Sequence, residues 1–137
     1  MIDMTNAYRA GHGLSELAID TRLVKAAQYH ADYMARTGYY AHDTLDGKGL
    51  ADRLHDVGYP FSVAAENIHL YDPAVRRTYG IDRTYTRSEL ASYFLDGWKA
   101  SAPHNHNLLS KEAQDIGIAL AQGRNGRIYA VQVFGDR

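Results

Sequence analysis

The stretch Trp98-Lys99-Ala100-Ser101-Ala102-Pro103-His104-Asn105-His106-Asn107-Leu108-Leu109 decides how the chain is read. A Trp closes an amphipathic run, Ser-Ala-Pro breaks it, and Asn-Leu-Leu restarts an apolar pattern, which predicts a helix, a tight polar turn and a second short helix. The polar turn is where chemistry could sit. Just upstream, Leu90, Tyr93, Phe94, Gly97 and Trp98 share one helical face, and Thr86-Arg87-Ser88-Glu89 supplies a capping box at its start. Downstream, residues 115–122 alternate large Ile116, Ile118 and Leu120 with small Gly117, Ala119 and Ala121, which predicts a strand approached closely on its small face. Residues 123–126, with Asn125-Gly126 as the turn signal, form a hairpin loop. Residues 127–134 return as a strand apolar on both faces, as in the middle of a covered sheet.

The first half of the chain reads mainly as helix. Residues 3–10 suit a short helix ended by Gly11 and Gly13, and residues 14–17 read as a connector. Asp20 is a candidate N-cap for a stripe of Leu23, Ala26, Ala27, His30, Ala31 and Met34, closed by Gly38. Residues 39–45 form a loop that places His42 between helices, and Asp46-Gly47 opens a shorter helical pattern with Leu50, Leu54 and Val57 on one face. Residues 64–70 have the length of a strand, with Glu66 on the same face as Ile68 and Leu70. A carboxylate in that position needs a rim location or partners. Residues 71–87 show no period and read as a surface excursion, in which Arg76, Arg77, Tyr79, Arg83, Tyr85 and Arg87 could form a recognition surface. The sum is a single α+β domain over residues 1–137, a three-layer α-β-α sandwich with a small, mainly antiparallel sheet.

Composition narrows the function. With 137 residues, 45% hydrophobic and 23% charged, the chain is globular and large enough for a core. Its 15 basic and 16 acidic residues give a net charge of −1, so there is no electrostatic footprint for nucleic acid or an anionic membrane. No Cys is present, which excludes disulfides, thiolate metal sites and a Cys nucleophile. No run is long enough for a membrane span, and no charged-then-apolar leader follows Met1, so no signal peptide is expected within this chain.

Taken in order, these pieces resemble the CAP superfamily of cysteine-rich secretory proteins, antigen 5 and plant pathogenesis-related proteins, in its short bacterial SCP-like extracellular branch. Asn6-Ala7-Tyr8-Arg9 with Gly13-Leu14 and Leu17 resembles the opening helix, and Leu23, Ala26-Ala27 and His30-Ala31 the second. Tyr40-Ala41-His42 with Asp46-Gly47 resembles the first His motif, and Ala65-Glu66-Asn67-Ile68 the Glu-Asn motif. Trp98 through His104, with Asn107-Leu108-Leu109, resembles the second His motif. Ile116-Gly117-Ile118 and Val131 to Gly135 resemble the closing strands. The larger secreted members place a second Glu three residues after the Trp, where this chain has Ser101. Ala65 and Pro103 stand where Gly is usual.

The resemblance implies a cleft carrying His42, Glu66 and His104 in a secreted or cell-envelope protein; Asn67, Trp98 and Ser101 stand beside these positions as candidates for its lining, Trp98 more as core than as ligand platform. It also implies zinc or another divalent metal in some members. On that view His42 and His104 ligate, while Glu66 completes the sphere or holds a water as general base. Their spacing of 24 and then 38 residues matches no compact metal motif. The alternative is a hydrogen-bonded polar cluster that orders the loops. The partner would be a small ligand, lipid, glycan or protein bound by a monomer. A metal-assisted hydrolase of peptide, cell-wall or lipid ester bonds would use the same three residues. Ser101 lacks a Gly-x-Ser-x-Gly elbow and fits a cap better than a nucleophile. Of the other histidines, His106 should diverge to the surface, His30 should be a satisfied internal residue, and His12, His55 and His69 should be solvated or at a rim.

Overall fold

The computed structural model describes residues 1–74 and 86–137. Asp20 caps α2 (Thr21–Thr37) by accepting the Arg22 N–H at 2.8 Å, and Gly38 ends it with φ +73°, the left-handed conformation that favours glycine. Before it come α1 (Ile2–Ala10) and a two-residue strand β1 (Ala18–Ile19) in the segment following the predicted connector. The next helix, α3 (Leu50–Asp56), begins later than Asp46-Gly47 suggested. Residues 44–48 instead close a turn in which Thr44 N–H donates to the Lys48 carbonyl and Gly47 takes φ +89°. The helix then starts at Gly49, whose N–H is held by the Asp52 carboxylate at 3.0 Å.

Strand β2 (Ala64–Tyr71) follows, then α4 (Arg87–Lys99), with the expected reciprocal capping of Thr86 and Glu89. The polar turn after Trp98 is shorter than predicted. Ser101 becomes the N-cap of α5 (Ala102–Leu108), and Pro103 sits inside the first turn, where its missing N–H has no intrahelical partner to lose. β3 (Asp115–Gln122) and β4 (Ile128–Gly135) complete a sheet of order β1-β3-β4-β2, antiparallel except for the β1 and β3 pair. Of the predicted excursion, Tyr71 belongs to β2 and Arg87 to α4, while Arg76, Arg77, Tyr79, Arg83 and Tyr85 lie outside the described residues.

Alternation along β4 divides the core. Tyr129, Val131 and Val133 pack with α2 and α3, and Ala130 and Phe134 pack with Phe94, Leu95, Trp98 and Leu108 of α4 and α5. The sheet is thus covered on both faces. Gly117 is where α2 comes closest, since a Cβ there would fall 2.3 Å from the Leu23 backbone carbon. Arg9, buried at 1% exposure, donates to the Ser15, Leu108 and Ser110 carbonyls and so ties α1 to the end of α5.

Candidate functional site

The loop carrying His42 is held at four points. Tyr40 OH donates to the Ile68 carbonyl at 3.2 Å, and the Leu45 N–H donates to Tyr33 OH at 2.9 Å. Between them, the Ala41 carbonyl pairs with His30 Nε2 at 2.6 Å and the His42 carbonyl accepts from Arg53 Nη2 at 3.1 Å. A carbonyl only accepts, so His30 carries its proton on Nε2. His30 Nδ1 has no partner among the described residues, so the expected satisfaction of this buried histidine holds for one ring nitrogen. Burial, and then the charge of Arg53, hold the His30 imidazole below its ordinary value.

Glu66 resolves the question its sequence position raised: it is buried and has partners. Arg53 Nη1 meets Oε2 at 2.6 Å and Nη2 meets Oε1 at 3.0 Å, a bidentate pair, while His42 Nδ1 meets Oε1 at 3.0 Å. Burial alone would raise the Glu66 carboxyl. The hydrogen bonds from His42 and Arg53 outweigh it and hold the group below the usual carboxylate range. In return, the Glu66 hydrogen bond pushes His42 up, against the effect of its partial burial. Arg53 is the functional residue the sequence reading missed. Its signal was available, because Leu50, Arg53, Leu54 and Val57 recur at i, i+3, i+4 and i+7, so an arginine stands on the apolar stripe of α3.

Asn67, the next residue, leaves β2 on the other face of the sheet. Its amide nitrogen donates to the His104 carbonyl and to Gln132 Oε1, both at 3.2 Å, and its oxygen accepts from Asn107 at 2.9 Å. Gln132 continues to Thr5 Oγ1 at 3.0 Å. Each site histidine is therefore fixed through its main-chain carbonyl by a buried polar side chain, His42 by Arg53 and His104 by Asn67.

The His104 ring pairs through Nδ1 with Ser101 Oγ at 2.8 Å, and Ser101 makes no side-chain capping bond to the helix backbone. Burial, followed by the charge of His42, holds His104 below its ordinary value. Both imidazoles have Nδ1 engaged. Asn67 and Trp98 are buried at 0% and 1% exposure, so they frame the site from behind; Trp98 Nε1 donates to the Ile68 carbonyl at 3.0 Å.

His106, His12 and His55 are exposed, as expected. His69 takes the rim position of the two expected for it. It is half-buried, stacked on Tyr93 at 5.1 Å with Phe94 edge-on at 5.7 Å, because Gly97 leaves a flat seat for its ring. Among the described residues no three His, Asp or Glu side chains form a group that could hold a metal. Both Glu66 oxygens are engaged, by Arg53 and His42. Two adjoining cavities of about 400 and 390 Å³ lie elsewhere, where the end of α2 meets the β3–β4 hairpin, and no candidate residue lines them.

The sequence matches the model of the cysteine-rich secretory protein family, CAP, over residues 2–134. The chain belongs to the CAP family. This CAP domain is 27% identical over 120 residues to the uncharacterized membrane protein YlbC of Bacillus subtilis, a match that takes in 88% of the chain and 30% of that protein. The chain thus spans under a third of that relative's length. Among solved structures, an extracellular SCP-domain protein of Bacillus anthracis superposes with a TM-score of 0.74 at 26% identity, covering 99% of this chain and 39% of that one. An outer surface protein of Borrelia burgdorferi superposes with a TM-score of 0.79, covering 99% and 89%, and at 21% identity it supports the fold. No helix among the described residues is long and apolar enough to cross a membrane.

Proposed function

We propose that this CAP domain is an extracellular binding module that holds its ligand between the imidazoles of His42 and His104. One observation carries the reading: each ring is tied back through Nδ1, to Glu66 and to Ser101, and neither Nε2 has a partner among the described residues. A tied-back imidazole with a free Nε2 is the arrangement metal-binding histidines use, with the oxygen partner outside the coordination sphere. Where a divalent metal is the ligand, His42 and His104 would hold it, and Glu66 and Ser101 would orient the rings. The metal would leave positions open for a polar group of a lipid, glycan or peptide. The extracellular setting rests on the Bacillus anthracis neighbour, which is described as an extracellular protein.

A second reading, hydrolysis of an ester or peptide bond, is favoured by the opposed protonation of the two rings. His42 is pushed toward the charged form and His104 toward the neutral one, the separation that lets one group act as acid and its neighbour as base.

Calorimetric titration of chelator-stripped protein with zinc tests the reading. One-to-one binding is expected, lost in His104→Ala and weakened about 10- to 100-fold in Glu66→Gln, as for a residue behind the ligands. Absence of binding, or binding indifferent to His104→Ala, would remove the metal. Turnover of an ester or peptide substrate, abolished in Glu66→Gln, would favour the hydrolase.

A further inference from the structure

Arg53 is a costly residue to place where it is. A guanidinium at 2% exposure loses its hydration, and an apolar side chain of similar length would fill the same stripe of α3 without that cost. Its contacts account for its presence. All four Nη hydrogens are used: Nη1 reaches Glu66 Oε2 and the Ala26 carbonyl, the latter at 3.5 Å, and Nη2 reaches Glu66 Oε1 and the His42 carbonyl. Only Nε is left without a partner among the described residues. One side chain of α3 therefore joins α2, the His42 loop and the edge strand β2.

The consequence falls on His42. A carboxylate clamped by a guanidinium stays ionised and can only accept, so the Glu66–His42 hydrogen bond requires the proton to be on His42 Nδ1. The neutral ring must then leave Nε2 bare. We propose that Arg53 is the positioning residue of this site: by fixing the Glu66 carboxylate and the His42 carbonyl together, it selects the Nδ1–H tautomer of His42 and presents Nε2 as a free electron pair. Glu66 orients the imidazole and does not itself contact ligand. This deepens the reading of His42 as a ligand-facing group and rests on it.

The geometry also predicts which replacements fail. Lysine carries the charge but cannot make two parallel bonds to a carboxylate and a third to a carbonyl. Methionine fills the space and strips Glu66 of its counter-ion. In either variant the Glu66 carboxylate and the His42 carbonyl are no longer held together by one planar group, so the Nδ1 bond loses its fixed geometry and the His42 tautomer is no longer dictated.

The test is the long-range ¹⁵N–¹H spectrum of the His42 ring in ligand-free protein, recorded above the pH at which its ring signals stop titrating, so that the raised imidazole is neutral. Wild type, Arg53→Lys and Arg53→Met are compared. Wild type should show the Nδ1–H form as the dominant species, and both variants should lose that dominance to the Nε2–H form. A folded Arg53→Met protein that keeps the wild-type tautomer would make Arg53 a residue of stability alone and overturn the proposal. So would a wild-type ring protonated on Nε2. Should Arg53→Met fail to fold, Arg53→Lys decides by the same criterion, with an unchanged tautomer counting against. No metal is present in the measurement, so its outcome is independent of the zinc titration.

Discussion

Glu66 and Asn67 are adjacent in sequence and point to opposite faces of β2, and this is how one dipeptide serves two histidines. Glu66 meets His42 on the side of α2 and α3, and Asn67 meets the His104 main chain on the side of α5. Replacing Asn67 with Ala would leave Gln132 and Asn107 short of partners in a buried network, at a cost on the order of 2–3 kcal/mol. Urea unfolding should show that loss, and zinc affinity should fall with it because the His104 carbonyl is released; an Asn67→Ala protein as stable as wild type would refute the network. At this scale the ordered motifs made His42, Glu66 and His104 legible, because imidazoles and a carboxylate stand out at predicted loops and on a strand. The residues that hold them did not stand out in the same way. An arginine is exposed so regularly that Arg53 passes for a solvated residue until its place on the apolar stripe is noticed.

Among the elements, β2 shows how an edge strand can be closed without another strand. Every second carbonyl accepts from a side chain: Glu66 from Asn107 at 3.4 Å, Ile68 from both Trp98 and Tyr40, and Leu70 from Tyr93 at 3.3 Å. Those bonds bring α4, α5 and the His42 loop to one edge, and they occupy acceptors that a foreign strand would use. Close seating of α4 against β2 requires Gly97, since a Cβ there would stand 2.4 Å from His69 Nε2. Gly97→Ala should therefore destabilise the protein by about 1–3 kcal/mol despite a gain of about 1 kcal/mol in helix propensity. In a His69→Ala background the same change should become neutral or stabilising. Thermal melts of the four proteins form the cycle, and a raised Tm for Gly97→Ala alone would sink the packing argument. The helices α2 and α4 and the β3–β4 hairpin were legible because their periods run for many residues between clear caps. The strand β1 was not, because two residues paired in parallel with Asp115 and Ile116 leave no period to detect. The late start of α3 was hidden for a related reason: a Gly47 turn and a Gly49 start look alike in sequence.

For the molecule as a whole, the three-layer organisation followed from alternation along β3 and β4, and the structure adds titratable groups to that plan, with His30 buried on one face of the sheet and His69 and His104 half-buried on the other. His30 beside α3, and His69 and His104 beside α4 and α5, all sit below the ordinary imidazole value of 6.5, first through burial and then through neighbouring positive charge. Each takes its proton at a lower pH folded than unfolded, so in the interval between the two the unfolded chain holds more protons and stability rises with pH. Their contribution is complete above 6.5 and is lost as the pH falls toward the folded values. His42 works in the opposite sense. Raised by Glu66, it contributes fully below 6.5 and loses that contribution as the pH climbs through its folded value. Below 6.5 His42 changes nothing further, so the three depressed rings predict a net fall in stability between about pH 6.5 and 5, before the Glu66 carboxylate begins to protonate. Urea midpoints across that interval, for wild type and His30→Gln, measure it. The wild-type midpoint should drop on acidification and the variant's should drop less, even though the variant starts lower. A wild-type midpoint that holds or rises over the same interval, where the His42 contribution is already complete, would mean that the three rings are not depressed, and the protonation pattern assigned to this domain would be wrong.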